Sequence, residues 1–393
     1  MSGASTNKIL FIPSWYPNRT EQASGNFIKR LIQANSSYDN VAVLFVVPDP
    51  TIKNNSEVVV NNTDGIFEVI VYYKKVNNSL PFGIILKAKR RFKAYDIGRQ
   101  EILNKWGQPQ LVHVQEALPA ILYAQRLKKK LGLHYIVTEH SVVRYIFATS
   151  ALLFNMQRRA LKAAEKIITV SNYLGEAMRN KGIKNYFIVV PNVVPLPDSL
   201  PALLPAESKK RILHISTLAE VKNVKGILRA IKQVSLNRND FELVILCEID
   251  NRKEEFIQYS KSLGLDESIV IFKSYIGDTG KLSELLISSN FMLMFSNYET
   301  FSVVLAESLW VGRPVITSKC GGPQEFIRED FGIVVNPGEE KELVNAINKM
   351  LDTWQLYDKE KMKEFARNNF APTIIGEKMH LIHSEVIDSL NKH

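Results

Sequence analysis

Short apolar runs alternate with longer stretches of helical spacing along almost the whole chain. Lys8 to Ile12, Val41 to Val47, Phe67 to Tyr73, Leu111 to Val114, Tyr135 to Thr138, Lys166 to Val170 and Phe187 to Val190 have the length of strands. Their near-continuous apolar character fits strands covered on both faces. Helices are expected between them at Asn26 to Ala34, Phe82 to Leu103, Leu118 to Leu131, Ala151 to Ala164 and Ser171 to Lys181. The segment Pro191 to Pro205 then places five prolines in fifteen residues, which marks a linker. A second series starts at Arg211 (RILHIST) and continues through FELVILC, IVIFK, FMLMF and PVITS. Regular alternation of strand and helix predicts parallel sheets with helices on both faces. A chain of 393 residues exceeds one ordinary core, so two doubly wound α/β domains joined by a hinge are expected. The first spans 1–195 and the second 206–373, with 196–205 as linker and a C-terminal helix near 374–393. The cleft between the domains is the default ligand site.

The most informative chemistry lies in Ser296 to Glu325. Phe291 to Phe295 is a strand, Ser302 to Val311 has helical composition, and Arg313 to Thr317 is a second strand, giving a βαβ unit. Glu299 falls in the loop at the carboxyl end of the first strand, where open α/β sheets bind ligands. Glu307 lies eight positions on, about one and a half turns into the helix. The free N–H groups from Thr300 through Phe301 and Ser302 to Val303 aim the helix's positive end at an anion. Acid, helix N-terminus, acid suits a ligand with hydroxyls at both ends and a phosphate between them. Taken singly, each glutamate is equally well read as a helix-capping or solvated acid.

In the first half, the loop after Ile12 lacks the Gly-x-Gly-x-x-Gly of a dinucleotide site, which counts against a dehydrogenase. Gly25 before the next helix would let backbone approach a ligand, or is a simple turn glycine. His113 in LVHVQ and His140 in VTEHS each follow an apolar strand, and His140 sits at the carboxyl end of its strand. A lone histidine in such a place is more often structural.

With these residues in view, the chain resembles the family-4 group of retaining glycosyltransferases with the GT-B fold. The match is carried by Glu299, Glu307, Gly312, Pro314, Gly321, Gly322 and Glu325, and extends from Ile9 to the C-terminal helix. The resemblance implies a hexose-type sugar moved from a nucleotide-sugar to a glycan or polyprenyl-linked acceptor, in surface polysaccharide or glycolipid synthesis. It implies that Glu307 binds the ribose hydroxyls, that Glu299 and His140 contact the transferred sugar, and that Lys222 binds the donor diphosphate. The loop bearing Trp15, Tyr16 and Gly25 then faces donor phosphates and acceptor, and Glu139 is an acceptor candidate. Ser171 and Asn192 match turns that shape the cleft floor and hinge, and the last helix is expected to cross back onto the first domain. One departure matters: relatives carry Gly-Arg where this chain has Ser216-Thr217, and threonine cannot supply a charged bidentate contact. Either Lys222 and the helix amides suffice, or Lys225 or an arginine of the first domain compensates. Retention by same-face attack requires no enzymic nucleophile. UDP is preferred over GDP on family frequency alone.

Composition narrows the rest. No Asp-x-Asp pair and no His/Cys/carboxylate cluster with ligand spacing occurs, so no cofactor and no essential metal is expected. Cys247 and Cys320 are far apart and fit a reducing compartment. No apolar run approaches the roughly 20 residues of a membrane span, and no signal-peptide pattern opens the chain, so a cytoplasmic location is expected. Residues 1–200 hold 26 Lys/Arg against 13 Asp/Glu, a net of +13, whereas 201–393 hold 24 against 27. Clusters at Lys87-Ala-Lys-Arg-Arg-Phe-Lys93 and Lys128 to Lys130 read as solvated helix faces or as an anionic membrane contact. No nucleic-acid motif accompanies them, so peripheral membrane association is the expectation and nucleic acid is not. A nucleotide-sugar epimerase of the same fold, a binding-only relative allowed by Thr217 and a solute-binding protein remain the alternatives.

Overall fold

The computed structural model describes residues 7–22, 24–76, 83–141, 150–194, 209–248, 252–275 and 279–392. The expected linker 196–205 and the first residue of the expected long basic helix, Phe82, lie outside them. The chain divides into two compact units, Met1–Val193 with Pro372–His393, and Val194–Ala371.

In the first unit the strands are β1 (Lys8–Pro13), β2 (Asn40–Asp49), β3 (Ser56–Thr63), β4 (Ile66–Lys74), β5 (Leu111–Gln115), β6 (Tyr135–Glu139), β7 (Ile167–Thr169) and β8 (Phe187–Val189). The helices are α1 (Asn26–Ser36), α2 (Gly83–Lys105), α3 (Ala120–Leu131), α4 (Ala151–Lys162) and α5 (Asn172–Asn180). The sheet order is β3-β4-β2-β1-β5-β6-β7-β8, with every neighbouring pair parallel except β3 with β4. Chain order reverses between β1 and β5, which pair from Ile9↔Leu111 to Pro13↔Gln115. That switch point is where loops diverge and leave a crevice.

The second unit holds β9 (Lys210–Ile215), β10 (Phe241–Glu248), β11 (Val270–Tyr275), β12 (Phe291–Met294), β13 (Val315–Ser318) and β14 (Gly332–Val335). Its helices are α6 (Val224–Ser235), α7 (Arg252–Ser262), α8 (Thr279–Ser288), α9 (Val303–Trp310), α10 (Glu340–Thr353) and α11 (Lys359–Phe370). All six strands are parallel in the order β11-β10-β9-β12-β13-β14, and the switch point falls between β9 and β12. Strand residues Ile212, Leu243, Phe291 and Ile316 pack with Ile227 and Ile231 of α6 and Leu343 and Ile347 of α10. Burying each such side chain contributes about 1.5–3 kcal/mol.

The last helix, α12 (Pro372–Asn391), belongs to the first unit. Its Ile375, Met379, Ile382, Val386 and Ile387 share one core with Ile28, Leu31 and Ile32 of α1 and with the sheet residues Ile9 and Phe11.

Candidate active site

In the second unit, the loops after β9 and β12 meet at the switch point. After β9 the chain makes a 3-10 turn at Glu220–Lys222, and Asn223 follows in the left-handed region with φ 49°. The Asn297 N–H donates to the Val221 carbonyl at 2.8 Å, tying the β12 loop to this turn. The tie places Lys222 Nζ 2.5 Å from Glu299 Oε1, and the Ser296 hydroxyl donates to the same oxygen at 2.9 Å. Glu299 is further pinned by its main chain: its N–H donates to Cys320 O at 2.8 Å, and Gly322 N–H donates to Glu299 O at 2.9 Å. A Cβ on Gly322 would lie 1.9 Å from the Thr300 carbonyl oxygen, so the Gly-Gly turn exists to let these two loops touch.

The helix α9 begins beside this pair. Ser302, its N-cap residue, has φ 71° and caps nothing with its side chain; its hydroxyl lies 3.3 Å from Met294 Sδ. The first N–H groups of α9 have no intrahelical acceptors. Thr300, Ser302 and Val303 are half-buried, whereas Phe301 is anchored against Phe326 and Phe370 with ring centroids 5.1 and 5.3 Å away. Glu307 is only 1% exposed, which is unusual for a carboxylate in a helix. Burial and then the Glu299 charge push the Cys320 thiol up to about 12, so it is a packing residue. Burial pushes His214 down to about 4, with the Leu293 carbonyl opposing and the Lys222 charge adding to the fall. The neutral ring donates from Nδ1 to Leu293 O at 2.8 Å and accepts the Ser216 hydroxyl at 2.7 Å on Nε2. Ser216 is thereby fixed, and Thr217 beside it is exposed. Lys225 is paired with Glu255 at 2.7 Å. Arg252, which sequence reasoning missed, donates from Nη1 to Leu218 O at 3.2 Å and so sets a guanidinium beside the Thr217 turn.

In the first unit, the loops after β1, β5 and β6 converge at the other switch point. The Ser14 hydroxyl donates to Glu116 O at 2.6 Å and accepts the Ala120 N–H at 3.2 Å. Gly25 has φ 68°, and a Cβ there would lie 2.5 Å from the Trp15 carbonyl group, so α1 starts against the Trp15 backbone. Trp15 packs edge-on against Phe27, whose ring centroid is 5.0 Å from that of His140. Tyr16 points into the core, 1% exposed, with its hydroxyl on Glu68; burial and then Glu68 raise its pKa. Two buried carboxylates cross-link the strand ends: Glu116 accepts the His140 N–H at 3.2 Å and Glu139 accepts the Ala117 N–H at 3.4 Å. Glu139, wholly buried, also accepts the Gln157 amide at 3.4 Å.

His140 is 7% exposed, and its Nε2 lies 2.8 Å from Gln115 Oε1. Burial pushes it down to about 3, with the neighbouring Asn192 opposing in part. Ser171 caps α5 by accepting the Leu174 N–H at 3.2 Å. The structure therefore gathers Trp15, Gly25, His140 and Asn192 in one unit, and Lys222, Glu299, the start of α9 and Glu307 in the other. Gln115 and Glu116 were not singled out in the sequence. The signal for Gln115 was present: His113 and Gln115 are polar at i and i+2 of a strand that is otherwise apolar.

Comparisons with known proteins agree with this architecture. Residues 38–196 match the family described as Glycosyltransferase Family 4, and residues 198–369 match Glycosyl transferases group 1. The chain is 24% identical over 327 residues to the N-acetyl-alpha-D-glucosaminyl L-malate synthase of Bacillus anthracis, covering 79% of this chain and 80% of that one. Among solved structures, sucrose-phosphate synthase from Thermosynechococcus elongatus superposes with a TM-score of 0.76 at 18% identity, over 98% of this chain and 100% of that chain. Anabaena Alr3699/HepE in complex with UDP-glucose gives a TM-score of 0.71 at 16% identity, over 96% of this chain and 99% of that chain. The two family matches, together with the fold, define a glycosyltransferase. The chain belongs to the family-4 glycosyltransferases with the GT-B fold.

Proposed function

We propose that this glycosyltransferase moves a hexose-type sugar from a nucleoside-diphosphate sugar, with UDP preferred over GDP, to a glycan or lipid-linked acceptor with retention of configuration. The observation that carries the reading is the Lys222–Glu299 pair at the start of α9, with Glu307 buried in the same helix. Leaving of the diphosphate develops negative charge, and Lys222 with the amides of α9 provides fixed positive charge for it. Arg252 supplies the charge that Thr217 does not. Glu307 accepts the ribose hydroxyls and Glu299 the sugar hydroxyls. The anomeric C–O bond to phosphate breaks as the acceptor oxygen bonds to the same face, and the departing phosphate oxygen takes the acceptor proton. UDP is favoured because a fold relative binds UDP and UDP-glucose.

The reaction on this reading needs no divalent metal. The acceptor is placed at an anionic membrane surface, with the protein associated peripherally at its cytoplasmic face. Supporting this, α2 exposes Ile84, Ile85 and Leu86 beside its lysines, and α4 exposes Leu152, Leu153 and Met156 beside Arg158, Arg159 and Lys162. The last three line a basic pocket of about 620 Å³ with Lys184. No described helix is long and apolar enough to cross a membrane.

The test is thermal stability with UDP, GDP, ADP and their glucose conjugates, with and without EDTA. At one hundred times Kd a ligand adds about 2.7 kcal/mol, a shift on the order of 5–10 °C. UDP and UDP-glucose are expected to give it irrespective of EDTA, and Glu307→Gln to weaken UDP binding roughly tenfold or more. A Glu307→Gln protein that binds UDP like the wild type would overturn the assignment of this site. Binding of UDP-glucose with no sugar transferred to any acceptor or to water would favour a binding-only protein.

A further inference from the structure

One buried polar chain of the first unit is not used by the chemistry above. It runs from α12 through the sheet to His140. Asp39 is 3% exposed and accepts four hydrogen bonds: Asn7 at 3.1 Å and His380 at 2.6 Å on Oδ1, Asn35 at 2.9 Å and His383 at 2.7 Å on Oδ2. His383 Nε2 lies 2.9 Å from His113 Nδ1. His113 Nε2 lies 2.7 Å from the Thr138 hydroxyl and 3.0 Å from the Gln115 amide nitrogen. Gln115 Oε1 closes the chain on His140 Nε2 at 2.8 Å. His383, His113, Gln115 and Thr138 are all 0% exposed.

The proton positions along this chain follow from its first member. Burial opposes the charge on Asp39, but the hydrogen bonds from His383, His380 and Asn35 hold its carboxyl below the usual range. It is therefore a carboxylate and accepts only. Burial pushes His383 down and His113 well down, so each neutral ring carries a single N–H. His383 spends its N–H at Nδ1 on Asp39, which leaves Nε2 as a lone pair. His113 must then donate from Nδ1, which leaves its Nε2 to accept from Thr138 and from the Gln115 amide. Gln115 has committed its N–H and can offer His140 only its carbonyl. Reversing any ring would set two acceptors face to face along the chain, ending at the Asp39 carboxylate.

We propose that this chain locks His140 in the Nε2–H tautomer and holds its Nδ1 as a lone-pair acceptor for a substrate hydroxyl. Asp39, His383, His113 and Gln115 are positioning residues that act through His140. Two further observations point the same way. His140 Nδ1 and Asn192 Oδ1 are both buried and have no hydrogen-bond partner among the described residues. Asn192 lies close enough to the ring to oppose in part the fall of its pKa. Two neighbouring acceptors without donors call for hydroxyl or amide N–H groups and reject a phosphate or carboxylate, which would bring acceptors alone. The inference deepens the transferase reading and rests on it for the word substrate: His140 serves a sugar hydroxyl and leaves the diphosphate to Lys222.

The tautomers are read directly from the free protein labelled with ¹⁵N-histidine, by long-range ¹H–¹⁵N correlation at pH 7. The expected spectrum has a protonated Nε2 and a bare Nδ1 for His140, and the opposite pattern for His113 and His383. A protonated Nδ1 on His140 in the wild type, or a mixture of its two forms, would overturn the proposal. Gln115→Met keeps the length of the side chain and removes both relay bonds. It is expected to add a protonated-Nδ1 signal for His140 that the wild type lacks; an unchanged His140 spectrum in a folded variant would also overturn it. The wild-type spectrum decides the direction of the chain even where the variant does not fold. Because no ligand enters the measurement, failure of this chain and failure of the transferase reading, tested by the nucleotide panel, are distinguishable.

Discussion

At the scale of single residues, Lys222 and Glu299 are each other's partner in the ligand-free protein, at 2.5 Å and largely shielded from water. The diphosphate of a donor needs Lys222, and its sugar needs Glu299, so donor binding on the proposed reading exchanges one ion pair for two new contacts. UDP without a sugar gains the lysine yet leaves Glu299 with Ser296 alone. This makes the pair a discriminator in favour of the complete donor. Glu299→Gln removes the competing charge, worth about 1 kcal/mol for a partly shielded pair, and is expected to tighten UDP about fivefold while lowering sugar transfer. Calorimetric titration with UDP checks this, and unchanged or weaker UDP affinity in the variant would exclude the exchange. The left-handed φ of Ser302 at 71° and Glu116 at 62° places strained non-glycine residues at both switch points. Strain of this kind costs about 1–3 kcal/mol and persists where surrounding contacts over-determine the backbone.

At the scale of elements, the helix α2 has two characters. Ala94, Tyr95, Gly98 and Ile102 are buried in its second half, whereas Ile84 and Ile85 near its start are 78% and 52% exposed. Lys89 and Lys93 are exposed on the same helix, while Arg90 and Arg91 turn back to the Lys74 carbonyl and the Tyr73 hydroxyl. An apolar tip next to free lysines suits an anionic lipid surface. Ile84→Ser with Lys89→Glu and Lys93→Glu should reduce cosedimentation with phosphatidylglycerol vesicles at low salt by tenfold or more, since each lysine contributes about 1 kcal/mol there. Equal cosedimentation of variant and wild type would remove the membrane reading. Most elements were legible because strands buried on both faces are continuous apolar runs, and α9 with its flanking strands was read nearly to the residue. The hairpin strand β3 was not read, because SEVVVNNT is polar at its end and lies at the sheet edge. Its turn carried a signal all the same: Asp64-Gly65, with φ 54° and 75°, is the pair a tight hairpin prefers. Glu299, Glu307 and Lys222 were singled out through spacing and resemblance, and the structure adds that Lys222 pairs with Glu299 and that Glu307 is buried. The partners that hold His140 were not legible, because Asp39, His113 and His383 meet only through the return of α12, a contact between residues more than 250 positions apart.

At the scale of the whole molecule, the two units differ in how they keep buried imidazoles. In the first, burial holds His113, His140 and His383 neutral, all three in the chain that ends on Asp39; the second has His214 alone. In each case burial puts the folded pKa below the unfolded value of about 6.5. The contribution to stability is then fully present above that value. It falls as pH drops from about 6.5 towards the folded pKa, about 3 for His140 and about 4 for His214, because the unfolded chain binds protons that the folded one refuses. Each such group costs about 1.4 kcal/mol per pH unit in that window. The first unit carries three such lowered groups and the second one, so the first loses more stability as pH falls below about 6.5. The paired carboxylates of both units, among them Asp39 and Asp240, have lowered pKa values and add their losses only below about pH 4. The first unit is therefore expected to lose protection at a higher pH than the second. Hydrogen exchange resolved by peptide between pH 7.5 and 5, corrected for the pH dependence of intrinsic exchange, separates the two. Equal loss of protection in both units would exclude this difference and with it the role of the three buried histidines in the acid sensitivity of the first unit.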